Sequence, residues 1–599
     1  MKSHKVLIVT GTLVSAKERS IKSFIKKQAD SIRASSGAWL DTQLKIIGVE
    51  NIMAQGRFMK SARFKQAAYA KSVSDLFAAD WNFGAPELTE VVLMTLLRQH
   101  GIEYEATTFP EIYADKSLRD KLLDECSCVF ASTTLLRDMS ELEPLMKILR
   151  RSESKISNKI VIGGALTGII HHNFVGSPDI DLFTVGYGEL LVPELAKWIK
   201  SDFTTLTAPE TGRVLEKGPT KILYSGVPKS KDLDFIDRPD WQLAEAYHQK
   251  KFEMVHYESV RGCPYRCSFC NYPFLFDDTK FRYKSAEKIV EDWAHYYNHG
   301  VRYITCLDSL FTVPPKRLKK ICHLLIERQI KIKWICYARA DDLTDLDVVQ
   351  LMKDAGCIQV QIGIESGSQV ILDNMNKRCT VEQNAAAIEN CRKVGITSLV
   401  TVIIGYPGDT AAYSLETFNF LKAHQPDFYY SAPFNTRIEY IPILNAENRA
   451  KYGILTSQGV TSSAPYWKHN TMSSTELAER LRWFNKKMQT EKVAMEGSLF
   501  YKIILNYEPS QRQSLLDYQQ DIANSYSGMR WLFTKLLLWT QKHLERDVER
   551  VLNVSNERVL NVSNEGVLGG SYEKALGAET KAARAVSVDA SFIPFTVIE

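Results

Sequence analysis

The chain has 599 residues and a mass of 68.1 kDa, too long for one ordinary hydrophobic core, so two or more domains are expected. Its 75 Lys and Arg against 70 Asp and Glu leave a net charge of +5, and without a long basic block no nucleic-acid surface is suggested. The first apolar run is too short for a signal peptide and nothing approaches a membrane-spanning length; the chain reads as cytoplasmic, and its 11 cysteines as reduced thiols.

In chain order, residues 5–13 (KVLIVTGTL) read as a buried first strand, followed by a polar and basic insertion over 14–80. From Ala85 a helix runs to a stop at Gly101, and a strand follows. The alternation repeats: a strand at 126–134, a helix, a strand at 159–168, and another at 181–189. Strands and helices at this spacing predict an α/β fold with a parallel, doubly wound, Rossmann-like sheet over 1–200. Ligands of such sheets lie beyond the carboxyl ends of the strands. Ser132, Thr133, Thr134, Gly163, Gly164, Gly186, Tyr187, Gly188 and Glu189 fall there. These small residues would either let backbone approach a large flat ligand or simply form tight turns.

Residues 201–250 carry prolines and little periodicity and read as a linker. A second β/α series occupies 251–444, with about six units, predicting a (β/α)6 partial TIM barrel whose active face lies at the carboxyl ends of its strands. Residues 445–545 read as mainly helical, and 546–599 as a tail. The tail contains ERVLNVSN twice, at 549–556 and 557–564, a duplication fitting neither a solenoid nor a heptad.

The stretch SVRGCPYRCSFCNYP (259–273) places Cys263, Cys267 and Cys270 in a loop directly after the first barrel strand. Three thiolates suit a [4Fe–4S] cluster with one iron lacking a protein ligand, whereas structural zinc takes four closed ligands. A zinc site completed by a remote residue, or three packed cysteines, are the alternatives.

With its C-x3-C-x2-C loop after strand one and an aromatic before the last cysteine, the chain resembles the radical S-adenosylmethionine (SAM) enzymes. The resemblance implies that SAM binds the open iron, with Phe269 near the adenine. CLDSLFT (306–312), YARAD (337–341), IGIESGSQVILDNMNK (362–377) and IIGYPGDT (403–410) are similar to other strand-end segments of the superfamily. They imply SAM contacts from Asp308, Arg339, Glu365, Ser366 and Gly405. For Asp308, Arg339 and Glu365 a rim salt bridge is the plain alternative.

Next to that barrel, residues 1–200 resemble the cobalamin-binding domain of one large radical SAM subfamily, through ASTTLLRDMSELEPLMKILRR, IVIGGALTG and TVGYGELLVPEL. The nine strand-end residues from Ser132 to Glu189 would then face cobalamin. No D-x-H-x-x-G motif occurs, which implies cobalamin without a histidine lower ligand; His171 and His172 are read as helix-start or surface residues. The resemblance implies methyl transfer from SAM via methylcobalamin to an unactivated carbon, or phosphorus, of a small-molecule or peptide natural-product precursor. It also implies an electron donor such as flavodoxin or ferredoxin. A radical cyclase or rearrangement enzyme, and a non-catalytic iron–sulfur scaffold, are the alternatives. Transfer-RNA methylthiolation fits less well, since the N-terminal half offers only Cys126 and Cys128. Trp467 and His469, in APYWKHNTMSSTEL (464–477), resemble locally a stretch of small-molecule methylating members; substrate contact competes there with a helix-start hydrogen bond before Ser473 or Ser474.

Overall fold

A computed structural model describes residues 4–11, 57–78, 84–136, 139–150, 158–436, 441–456 and 467–525. Most of the 14–80 insertion and the repeat at 549–564 lie outside the described residues. Among those described, no helix is long and apolar enough to cross a membrane.

The first sheet is built from β1 (Val6–Thr10), β2 (Tyr104–Thr108), β3 (Cys128–Ser132), β4 (Lys159–Gly163), β5 (Leu182–Val185), β6 (Arg213–Lys217) and β7 (Thr220–Tyr224), in the order β2-β1-β3-β4-β5-β7-β6. All neighbours are parallel except β6 with β7. Successive side chains of β1 serve two cores, as a strand covered on both faces requires. Val6 and Ile8 pack with Val91, Met94 and Leu195, whereas Leu7 and Val9 pack with Leu123, Leu142 and Leu145. Residues 213–224, expected as linker, complete this sheet, and Trp241–His248 is a helix capped by Asp240. These elements are too short for a period to emerge from the sequence.

The second sheet comprises β8 (Met254–Tyr257), β11 (Tyr303–Cys306), β12 (Lys333–Arg339), β13 (Cys357–Glu365), β14 (Thr397–Ile404) and β15 (Phe428–Pro433), all parallel, in chain order. Between β8 and β11, β9 (Val260–Arg261) and β10 (Arg282–Tyr283) form a two-stranded antiparallel ribbon that brackets the cysteine loop. A seventh strand, β19 (Met495–Glu496), extends the barrel sheet beyond β15. Ser285, Thr380 and Thr410 cap three of the intervening helices, with a full capping box at Thr380–Gln383. The sheet does not close. One continuous apolar core instead runs from the barrel into the N-terminal helices Leu88–Gln99 and Gly188–Lys200.

Beyond the barrel the chain is not purely helical. β16 (Leu455–Thr456), β17 (Trp467–His469) and β18 (Met472–Ser473) form a small antiparallel sheet before the helix Ser474–Thr490, whose cap is Ser473. The described part of the insertion forms two helices, Ala62–Gln66 and Ala70–Ala78. They pack not on the first sheet but on the C-terminal region: Phe58, Phe64, Val73 and Leu76 share a core with Phe500, Tyr518 and Ile522. The Tyr69 hydroxyl donates to Asp521, which also pairs with Arg63 at 3.2 Å.

Candidate functional site

The carboxyl ends of both sheets open onto one cavity of about 1030 Å³, at the upper end of the roughly 300–1,000 Å³ usual for ligand pockets. Cys263, Cys267 and Cys270 line it together with Phe269, Asp308, Arg339 and Glu365 from the barrel; Ser132, Thr134, Gly163, Gly164, Gly186, Gly188 and Glu189 line it from the first sheet.

The cysteine loop is held from several sides. Gly262 sits at φ +75°, where a Cβ would lie 2.6 Å from the Lys280 carbonyl oxygen, so only glycine fits. Ser309 Oγ donates to Gly262 O at 2.7 Å, and the Ser268 amide donates to Met375 O at 2.8 Å. Asp308 fixes the chain just before the loop: Oδ1 accepts from the Ser259 and Val260 amides at 2.6 and 2.8 Å, and Oδ2 from Ser259 Oγ at 2.6 Å. Burial pushes its carboxyl up to about 6 despite Arg317.

Burial also raises all three loop thiols, Cys270 to about 12, while Lys377 and Arg339 work against the rise at Cys267. Two N–H groups point at sulfur: the Tyr272 amide, 3.4 Å from Cys270 Sγ, and Arg339 Nη1, 3.9 Å from Cys267 Sγ. Arg339 is otherwise spent on Asp341 and on the Lys377 and Arg378 carbonyl oxygens, with its guanidinium 3.8 Å over the Tyr265 ring. Glu365, at φ +60°, accepts from Lys377 Nζ at 2.9 Å, and that ammonium lies 5.9 Å from the Phe269 ring centroid. Lys377 closes the quoted 362–377 segment, but nothing in sequence spacing aims it at the cysteines.

Where the two sheets meet, Arg261 donates to both oxygens of Glu189 at 2.7 Å and to Glu258 at 2.8 and 3.1 Å. Burial would raise the Glu189 carboxyl, yet Arg261 outweighs it and holds it below its usual value. Glu189 thus borders the cavity with both oxygens committed. The glycines beside it are demanded by their turns. A Cβ on Gly163, Gly164 or Gly186 would lie 2.4 Å from Thr184 Oγ1, 2.7 Å from Thr134 Oγ1 and 2.1 Å from Ser225 Oγ respectively. Gly188 alone of these faces open space.

Six expected residues do not line the cavity. Thr133 is buried, its hydroxyl donating to Gly163 O at 2.9 Å, and the Tyr187 hydroxyl donates to Asp278 at 3.0 Å. Ser366 bonds Thr417 at 3.0 Å inside a tight turn. At Gly405, φ is +79°, and a Cβ there would strike Leu477 of the helix Ser474–Thr490 at 2.6 Å and crowd Met472 of the β17–β18 hairpin at 3.1 Å. Trp467 and His469 belong to that hairpin. His469 Nε2 lies 3.2 Å from Gly405 O, its Nδ1 faces the Thr471 hydroxyl at 3.1 Å, and Trp467 stacks on the imidazole at 5.2 Å. His469 is thus buried outside the cavity lining, its bonds running to the end of β14 and to Thr471 rather than to the helix start, with the Phe434 ring 6.3 Å away.

Residues 257–421 match the family model of the radical SAM superfamily. The barrel is a radical SAM domain. Anaerobic magnesium-protoporphyrin IX monomethyl ester cyclase of Cereibacter sphaeroides is 26% identical over 328 residues, 52% of this chain and 52% of the cyclase. The chain spans about half the length of the curated relatives it matches. Among solved structures, the radical SAM methyltransferase TsrM from Kitasatospora setae, with tryptophan substrate and the analogue aza-SAM bound, aligns at TM-score 0.52 and 18% identity, over 64% of this chain and 77% of TsrM. The cobalamin-dependent SAM radical enzyme OxsB with aqua-cobalamin bound aligns at TM-score 0.53 and 17% identity, over 84% of this chain and 82% of OxsB. A share of 84% exceeds what the radical SAM domain alone supplies, so the shared fold includes the first sheet.

The three thiolates lie within the matched residues, and as a donor set they suit a cluster with one open iron. Among the described residues no group of three or more His, Cys, Asp or Glu side chains is gathered around a single-ion position. For a corrin face, the wall of the first sheet offers Leu88, Val92, Leu135 and Leu191 behind the glycine turns and no histidine among the described lining residues. His171 is buried elsewhere, 3.1 Å from the Tyr224 hydroxyl, and burial lowers it to about 4.

Proposed function

We propose that this chain is a cobalamin-dependent radical SAM methyltransferase that modifies an unactivated carbon, or phosphorus, of a small-molecule or peptide natural-product precursor. The observation that carries this reading is the single cavity shared by the cysteine loop and the strand ends of the first sheet. Cys263, Cys267 and Cys270 would hold a [4Fe–4S] cluster with one iron open. Phe269, Glu365 and Lys377 would border SAM, and Ser132, Thr134 and Gly188 would border cobalamin. When bound, these groups supply reductive cleavage of SAM and a cobalt methyl carrier.

The protein's part is binding, orientation and exclusion of water. Every charged side chain lining the cavity already has a partner: Glu189 and Glu258 take Arg261, Asp308 takes the Ser259–Val260 segment, Arg339 takes Asp341, and Lys377 takes Glu365. Gln361, Thr401 and Asn435 are among the neutral polar groups on the barrel side of the wall, and they would bond a substrate through amide and hydroxyl groups. Electrons would come from a flavodoxin- or ferredoxin-type donor.

The 26% identity to the cyclase favours a second reading, radical ring formation with cobalamin as electron carrier. Anaerobically reconstituted protein, incubated with SAM, a low-potential reductant and candidate precursors, separates the two by mass spectrometry. Methyl transfer adds one methylene to the product and yields S-adenosylhomocysteine. Ring formation without mass gain would overturn it, and a loaded protein that turns over no precursor would favour a scaffold.

A further inference from the structure

The outer face of the cysteine loop carries cations that the cavity does not use. Arg266, Lys280 and Arg378 are exposed, and none forms an ion pair with an acidic residue among those described. They make one patch. Arg266 Nη2 donates to Thr279 O at 3.1 Å, next to Lys280; Asn376 Nδ2 donates to Arg266 O at 2.8 Å, and Asn376 Oδ1 accepts from Arg378 Nε at 3.3 Å. Of the exposed carboxylates nearest to Arg378 in sequence, Glu382 bonds Thr380 and Asp373 accepts from Gln369 at 2.8 Å.

This patch rests directly on the backbone of the thiols. Arg266 Nη1 donates to Cys263 O at 2.7 Å and to Tyr265 O at 2.9 Å. The Arg378 carbonyl accepts from Arg339 at 3.1 Å, and Arg339 reaches Cys267 Sγ at 3.9 Å. Of the exposed cations, Arg266 is therefore bonded to the backbone that carries the thiols and Arg378 is linked to Cys267 through Arg339, and none of the three lines the cavity. Three unpaired cations at that position repel one another and gain from an anionic partner.

We propose that Arg266, Lys280 and Arg378 form the docking surface for an acidic one-electron donor protein carrying a flavin or an iron–sulfur centre, an inference that rests on the cluster assignment above. In the flavin case the anionic hydroquinone becomes the neutral semiquinone, the cluster passes from the 2+ to the 1+ state, and no bond breaks and no proton moves. A charged rim of this kind acts on encounter rate and on salt dependence.

The test is stopped-flow reduction of the reconstituted full chain by an acidic flavodoxin hydroquinone, comparing wild type with K280E/R378E. Arg266 is kept because it bonds the loop backbone. The double variant is expected to be reduced about tenfold or more slowly at low ionic strength, converging on wild type in high salt. Reduction by dithionite and the iron and sulfide content should not change. The same charge reversal at Lys331 and Lys333, at the amino end of β12, should have little effect. Equal rates at low salt, or an equal loss in the Lys331/Lys333 variant, would overturn the docking surface. A chain that takes up no iron on reconstitution would overturn the cluster assignment itself, and the iron assay reads that separately.

Discussion

Glu189 and Arg261 meet across the junction of the two sheets through a pair of 2.7 Å hydrogen bonds, both side chains buried or nearly so. One stands at the start of the helix after β5, the other two residues before the first loop cysteine. The pair therefore ties the floor of one half of the cavity to the wall of the other. Arg261→Met would leave Glu189 and Glu258 without their guanidinium, and breaking a buried pair from one side costs about 3–5 kcal/mol. A fall in the urea midpoint without a change in slope is the expected result. Because Arg261 depresses the Glu189 carboxyl, its stabilisation is present above the unfolded carboxylate value of roughly 4.3 and is lost as pH falls through the lower folded value. The gap between wild type and variant should therefore be widest near neutrality and shrink in acid. A gap that does not change with pH would contradict the pairing.

Asp308 has the opposite sign. Its folded value of about 6 exceeds its ordinary 3.8, so the folded state holds the proton more tightly. Its contribution is full below the ordinary value and is lost as pH rises through about 6. Asp308→Asn should flatten that stretch of the melting-temperature profile. Above about pH 6, where the carboxyl is charged, the variant should also lose about 1.5–3 kcal/mol, because the three donors from Ser259 and Val260 lose a charged acceptor.

Gly262→Ala combines a positive φ with a Cβ only 2.6 Å from a carbonyl oxygen. Strain of this kind costs about 1–3 kcal/mol, and the loop relieves it by moving the thiols. Iron and sulfide content after reconstitution should fall steeply while far-UV circular dichroism is unchanged. Full iron content in the variant would show the loop to be more pliable than its bonds suggest.

His469→Ala removes the bond to Gly405 O and the ring on which Trp467 stacks. A loss of about 1–3 kcal/mol is expected, with iron and cobalamin content unchanged. Loss of either cofactor at full stability would return the residue to the cavity.

The barrel was legible because its apolar runs are long, regularly spaced and punctuated by caps. The cysteine loop was legible because three closely spaced thiols in a loop after a strand have few other uses. What sequence missed lies in short or non-local structure. The hairpin Arg213–Tyr224 is two five-residue strands, one of them largely exposed, and shows no period. Lys377 acts on Cys267 as a nearby charge, held by Glu365 at the end of β13 and by Arg339 on its carbonyl oxygen, neither of which sequence spacing announces. Thr133, Tyr187, Ser366 and Gly405 were placed by position at strand ends, yet at such ends alternate side chains point into the turn, and position alone does not tell the two sets apart. Trp467 and His469 are polar aromatics near a helix start, a pattern that serves packing and recognition equally.

The helices Ala62–Gln66 and Ala70–Ala78 dock on Phe500 and on the helix Arg512–Ser525, more than 400 residues later, through Phe64, Tyr69, Phe77 and Tyr518. On a ribosome the early segment emerges with its aromatic face bare and waits for nearly the whole barrel to be made before its partner arrives. The polypeptide is thus a loop closed late rather than a string of modules finished one by one. Shortening it from the far end would expose the beginning.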